Sequence, residues 1–162
     1  MCQQALAWCP WQLDLLATGS IYPEGIIRIW NPTSSTHPKP LHSIALNTSV
    51  TSLHWSPHCK ELLSTHGSTW SLSPTPVAPA GGLIPVTSPI ANAVMVYSCA
   101  SYERIVSVPA HAGPISCSCL SPDGMSVFTV SGWDESIKMW KVWGAGKGIG
   151  RRESVFDRYV VR

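Results

Sequence analysis

The sequence predicts an all-β fold assembled from repeated four-stranded antiparallel sheets. Three observations predict it. Fourteen prolines and twelve glycines divide the 162 residues into short segments, which suits tight turns and short strands rather than long helices. Those segments are rich in β-branched and aromatic residues and are bounded by turn residues, the mark of strands. One pattern of three strands then recurs three times along the chain, and a recurring unit of this size points to a repeat architecture.

Each unit opens with a strand that stops at a proline turn: Ala5-Leu6-Ala7-Trp8-Cys9-Pro10, Ser52-Leu53-His54-Trp55-Ser56-Pro57 and Cys117-Ser118-Cys119-Leu120-Ser121-Pro122. A second apolar run follows, at Leu15–Gly19, Glu61–Thr65 and Ser126–Val130. A third strand ends in an aromatic residue: Trp30, Tyr97 and Trp140. The first two units add a short fourth strand, near Leu41–Leu46 and Ile105–Val108, and none is expected in the last.

The step from Trp8 to Trp55 is 47 residues, close to the roughly 40–45 of a propeller blade. The step from Trp55 to Leu120 is longer by about 20, and the excess falls on residues 68–91. Pro74, Pro76, Pro79, Pro85 and Pro89 lie there, so an irregular surface insertion is expected. The units therefore run over 2–47, 48–110 and 111–143, with a Gly-rich linker and basic tail over 144–162. The predicted architecture is a partial WD-repeat β-propeller of about three blades, not closed.

Composition narrows the function classes. A net charge of +2 does not advertise a nucleic-acid or membrane surface. No run of 18 apolar residues is present, so no membrane-spanning helix is expected. Met1-Cys2-Gln3-Gln4 lacks the basic and apolar regions of a secretory signal. None of the six cysteines forms a C-x-x-C pair, and most lie in apolar segments where Cys acts as a small hydrophobe. A reducing compartment, nucleus and cytoplasm, is the expectation.

One constellation is expected to be buried and structural. Asp134 precedes Trp140 by six positions, and Ala110-His111 stands ahead of the last unit. His111, Ser131 or Thr129, Asp134 and Trp140 are candidates for one hydrogen-bonded chain, because a buried carboxylate and a buried indole N–H both need partners. The first unit keeps Glu24 and Trp30 at the same spacing, whereas the middle unit has Ala91 and Tyr97 and is expected to lack the chain.

Catalytic signals are weak. No G-x-S-x-G elbow occurs. His54, His58 and Cys59 cluster in sequence but have no second ligand pair for zinc. The glycines from Gly144 to Gly150 do not fit a phosphate-binding loop. The reading is a protein-binding module and not an enzyme, with no catalytic residue, metal or cofactor. The tail from Arg151 to Arg162 reads as a frayed terminus or a short peptide that docks in a partner groove.

Several runs resemble the late blades of the Fizzy family, the activators and substrate adaptors of the anaphase-promoting complex. They are Trp8-Cys9-Pro10-Trp11-Gln12, Ile27-Arg28-Ile29-Trp30-Asn31, Lys60-Glu61-Leu62-Leu63-Ser64-Thr65-His66-Gly67 and Asp134-Glu135-Ser136-Ile137-Lys138-Met139-Trp140. The resemblance covers roughly Cys2 to Trp143 apart from the insertion. It implies partners of two kinds: subunits of that ubiquitin ligase and degron-bearing cell-cycle proteins. Glu135 matches the acidic position that pairs with the destruction-box Arg. Val161-Arg162 resembles the family's C-terminal Ile-Arg tail, implying a ligase contact. Tyr22, Ser49 and Pro114 stand where the family tends to carry Thr, Gln and Arg for the KEN box, and Pro114 offers no cation. The alternative is a truncated or degenerate paralogue acting as a scaffold. Three blades also leave two blade faces open, which favours self-association.

Overall fold

A computed structural model describes residues 3–33, 39–72, 83–86, 88–144 and 158–161. The first blade is a four-stranded antiparallel sheet of β1 (Gln3–Trp8), β2 (Leu16–Ser20), β3 (Ile26–Trp30) and β4 (Pro40–Ala45), in that order. The middle blade is built from β5 (Val50–Trp55), β6 (Glu61–His66), β9 (Ala93–Ser98) and β10 (Arg104–Pro109). Between β6 and β9, a separate two-stranded ladder pairs β7 (Thr69–Leu72) with β8 (Leu83–Val86). The third blade contains β11 (Cys117–Leu120), β12 (Ser126–Ser131), β13 (Ser136–Lys141) and β14 (Arg158–Val161).

Two expectations are corrected here. The insertion is not wholly irregular, because Thr69–Leu72 and Leu83–Val86 pair in register from Thr69↔Val86 to Leu72↔Leu83. The last blade does have a fourth strand. Arg158–Val161 adds to β13, with Val161 opposite Ile137 and Arg158 opposite Trp140. The edge of β13 offers unpaired backbone groups, and the aliphatic and aromatic run Tyr159-Val160-Val161 suits a strand. Fold pattern alone missed it because the Gly-rich linker separates it from β13 in sequence. Val161 is thus part of a blade rather than a free tail, and Arg162 lies outside the described residues.

The first strands of successive blades neighbour one another, β1 against β5 and β5 against β11. Strand alternation sends each blade's two faces to different neighbours. Ala17, Ile27 and Ile29 of the first blade meet Leu53, Leu62, Met95 and Tyr97 of the middle blade in one core. Leu63, Val94 and Val96, from the middle blade's other face, meet Val127 and Trp140 of the third in a second core. The stability of the molecule therefore resides between sheets.

The residues that marked the family also tie blades together. Trp11 meets Trp55 edge to face at 5.8 Å between ring centroids, a favourable aromatic geometry. Its Nε1–H donates to the Ser56 carbonyl at 3.0 Å. Trp143 donates from Nε1 to Glu61 at 2.9 Å, which joins the third blade to the middle one.

Candidate functional site

The site is the turn between β12 and β13, and its position follows from the blade register. In each blade the residue after Glu24, Ala91 or Asp134 takes a left-handed backbone: Gly25 at φ 53°, Asn92 at 53° and Glu135 at 50°. Glycine does so freely and Asn at small cost, but Glu carries a steric penalty from its Cβ. Side chains on either side of Glu135 then diverge. Asp134 turns inward, with 19% of its side chain exposed, while Glu135 is exposed.

Behind the turn lies a continuous hydrogen-bonded chain. The Trp140 Nε1–H donates to Thr129 Oγ1 at 2.8 Å. Thr129 Oγ1 lies 2.8 Å from His111 Nε2. His111 Nδ1 lies 2.9 and 3.1 Å from the two Asp134 oxygens. Ser136 Oγ and the Ala112 N–H also donate to Asp134, at 2.7 and 3.2 Å. Lys138 Nζ donates to the Ala110 carbonyl at 2.6 Å and stands 3.8 Å from Asp134.

Electrostatics agree with a neutral imidazole beside an ionised carboxylate. Burial pushes the His111 pKa down, against the opposing pull of Asp134. Burial also works to raise the Asp134 pKa, but hydrogen bonds from Ser136, His111 and Ala112 outweigh it and hold the carboxyl well below its usual range. A neutral ring lets the Thr129 hydroxyl donate to Nε2 over 2.8 Å, instead of to the Lys138 carbonyl over 3.5 Å. His111 Nδ1–H then donates to Asp134. Every proton of the Trp140, Thr129 and His111 links is engaged within the chain.

Ser131 does not belong to this chain, contrary to one sequence expectation. It shares a sheet face with Thr129 and is buried. However, it is the last residue of β12 and sits opposite Ser136 at the turn. Its hydroxyl accepts from the Trp133 N–H at 3.3 Å. Thr129 is opposite Lys138, one step from the Val127–Trp140 pair, which brings its hydroxyl to the indole.

Trp133 is the residue that sequence reasoning missed. Its side chain is 78% exposed, two positions from the exposed Glu135. Gly113 makes room for it, since a Cβ there would lie 2.2 Å from Trp133 Cβ. The run Gly132-Trp133-Asp134-Glu135 was the available signal: an indole in a turn has no core to enter. An exposed aromatic face beside a carboxylate can receive a guanidinium by stacking and by a charge-assisted hydrogen bond.

The other singled-out residues go elsewhere. His54 Nε2 is 2.9 Å from Ser118 Oγ. His58 donates from Nε2 to the Asp123 carbonyl at 2.6 Å. The Cys59 thiol lies 3.2 Å from Ser56 Oγ. The three are not gathered on one centre. Tyr22 and Ser49 meet, the Tyr22 N–H donating to Ser49 Oγ at 3.0 Å.

Repeated four-stranded blades with a Trp–Thr–His–Asp chain define a WD-repeat propeller unit. In agreement, the family described as "WD domain, G-beta repeat" matches residues 102–141. The chain is 35% identical over 140 residues to "WD repeat-containing protein slp1" of Schizosaccharomyces pombe, covering 86% of this chain and 24% of that protein. It is 32% identical over 141 residues to "Cell division cycle 20.5, cofactor of APC complex" of Arabidopsis thaliana, covering 87% and 26%. "Protein FIZZY-RELATED 1" of the same plant is 28% identical over 98% of this chain and 29% of its own. A chain in the "Crystal Structure of Mitotic Checkpoint Complex" superposes with a TM-score of 0.64 at 34% identity, covering 88% of this chain and 36% of that one. The RRP9 WD40 repeats share the fold, with a TM-score of 0.62 at 16% identity over 88% of this chain and 36% of theirs. Over most of its length the chain is similar to Fizzy-type WD-repeat proteins. It spans about a quarter of the length of the curated relatives it matches.

Proposed function

We propose that the chain is a peptide-binding adaptor of the anaphase-promoting complex, and that the Trp133–Glu135 turn receives an arginine of a substrate degron. The reading rests on one observation above all. Glu135 is exposed in a left-handed turn where the other blades place Gly25 and Asn92, so a carboxylate is held outward at a backbone cost. The relatives' description as cofactors of that complex supports the partner. The role is recruitment rather than catalysis, because the titratable chain behind the turn is closed on itself. The setting is nucleus and cytoplasm, a reading supported by the free cysteines Cys9, Cys59, Cys99, Cys117 and Cys119.

The test is fluorescence anisotropy with a labelled destruction-box peptide and its Arg→Ala counterpart. The intact chain binds the Arg peptide more tightly. Glu135→Gln weakens that binding by about tenfold or more, since a hydrogen bond to a charged group contributes roughly 1.5–3 kcal/mol. Equal affinity for the two peptides would overturn the assignment.

A further inference from the structure

We infer that Trp133 is the specificity-determining residue of the β12–β13 turn and makes it select arginine over lysine. This rests on the reading of the turn as an arginine site, and it names the side chain that enforces the choice.

Equivalent positions in the three blades single out Trp133. The residue two places before the left-handed one is Pro23 in the first blade, Ile90 in the middle blade and Trp133 in the third. Ile90 packs against a core. Trp133 stands 78% exposed. Its place is internal to the described blades. Gly113 of the connector from β10 to β11 lies directly under the side chain, so the indole sits over the junction of the middle and third blades.

The indole is also held. A Cβ on Gly113 would come within 2.2, 2.4 and 2.8 Å of Trp133 Cβ, Cγ and Cδ1, so the root of the side chain rests on backbone that only a glycine leaves clear. The Trp133 N–H donates to Ser131 Oγ at 3.3 Å, and the Gly132 N–H to Ser116 Oγ at 3.4 Å. A platform fixed at its root and open over most of its surface loses little freedom when a ligand settles on it.

Charge sets the class of ligand. Glu135 is exposed two residues further on, and among the described residues no ion pair holds it. The nearby cations of the blades are engaged elsewhere, Arg28 with Glu24 and Lys138 with the Ala110 carbonyl. A carboxylate without a counter-ion beside an open indole favours a cation. Between the two cationic side chains the indole decides. A guanidinium is planar and weakly hydrated, so it lies flat on the ring while its edge reaches a carboxylate; an ammonium is compact and keeps its water. The chain shows the looser case itself, where Lys60 Nζ stands 5.9 Å from the Trp11 ring centre, at the outer limit of a cation–π contact.

The experiment is fluorescence anisotropy on the full chain with three labelled peptides that carry Arg, Lys or Ala at the degron arginine position. The Arg peptide binds about tenfold more tightly than the Lys peptide. Trp133→Ala cuts that ratio to about twofold, chiefly by weakening the Arg peptide, whereas Trp133→Phe keeps most of it. Gly113→Ala displaces the indole and acts like Trp133→Ala. Glu135→Gln lowers both affinities without erasing the ratio. Trp133 is exposed, so its two variants leave the cores intact, and matched melting temperatures check this. Equal binding of the Arg and Lys peptides overturns the inference while the arginine reading stands. So does a ratio that survives Trp133→Ala, or one that collapses in Glu135→Gln alone. Equal binding of the Arg and Ala peptides overturns the arginine reading, and the inference with it.

Discussion

The middle and third blades have the same strand ladder and opposite interiors. Leu62–Tyr97 and Ser64–Met95 in one correspond to Val127–Trp140 and Thr129–Lys138 in the other. The third blade joins an acid, an imidazole and an indole by hydrogen bonds through Thr129, with the Lys138 ammonium 3.8 Å from the acid. The middle blade has Ala91 in place of Asp134 and Met95 in place of Lys138. Both charged residues are missing together. Losing only the acid would strand a buried ammonium, and losing only the cation would leave a carboxylate short of a partner. The first blade makes the same point from the other side, with Glu24 and Arg28 kept as a pair. Its Trp30 Nε1–H donates to Thr18 at 2.9 Å, as Trp140 does to Thr129. A blade can be filled by a polar network or by apolar packing.

The most direct way to break this comparison is Asp134→Ala. It should destabilise the chain by about 2–3 kcal/mol, below the ~3–5 kcal/mol of a fully buried pair because Asp134 keeps some exposure. Adding Lys138→Met copies the middle blade and should recover at least half of the loss, read by urea denaturation. If the double variant is no more stable than the single one, the blades are not interchangeable.

A second measurement sharpens the comparison through pH. The middle blade has its own buried histidine, His66, which is 0% exposed with Nε2 2.6 Å from Ser64 Oγ. Burial drives its pKa down to about 3. The folded state therefore binds a proton less readily than the unfolded chain. Stability from this group is complete above pH 6.5 and is lost as pH falls from there toward 3. At pH 5 the loss is about 2 kcal/mol, from ~1.4 kcal/mol per pH unit. His111 adds in the same direction. His66→Gln should flatten the slope of stability between pH 6.5 and 5, and an unchanged slope would assign it elsewhere.

The smallest expected effect concerns the turn. Glu135→Gly gives the third blade the residue that the first blade uses at Gly25. It relieves the left-handed backbone and should stabilise the chain by up to ~1 kcal/mol. The same change should abolish the preference for the Arg peptide. A stability gain with peptide binding intact would remove Glu135 from the site.

Most of the site was legible along the chain because the blade register is short-range. His111, Asp134 and Trp140 could be named from the WD-repeat pattern. The choice of Thr129 over Ser131 could not. Both are small hydroxyl residues on one face of β12, and only the cross-strand pairing with Lys138 and Trp140 sets which one reaches the indole. Trp133 was missed although its turn sequence Gly132-Trp133-Asp134-Glu135 signals it, because a tryptophan reads as core until the fold shows it 78% exposed.

The alternation of apolar and polar residues, the proline turns and the repeat spacing determined by themselves that the chain forms short antiparallel blades, and how many. These are local properties, written within a few residues of where they act. Tertiary structure decided the rest. It placed Arg158–Val161 on β13, ordered part of the insertion as a ladder and sent each sheet face to a different neighbour. Such outcomes depend on which distant surfaces meet, and strand pairing across a linker or packing between sheets has no signature in any single window of sequence. The partial propeller expected from the repeats is the one observed, with all three blades four-stranded.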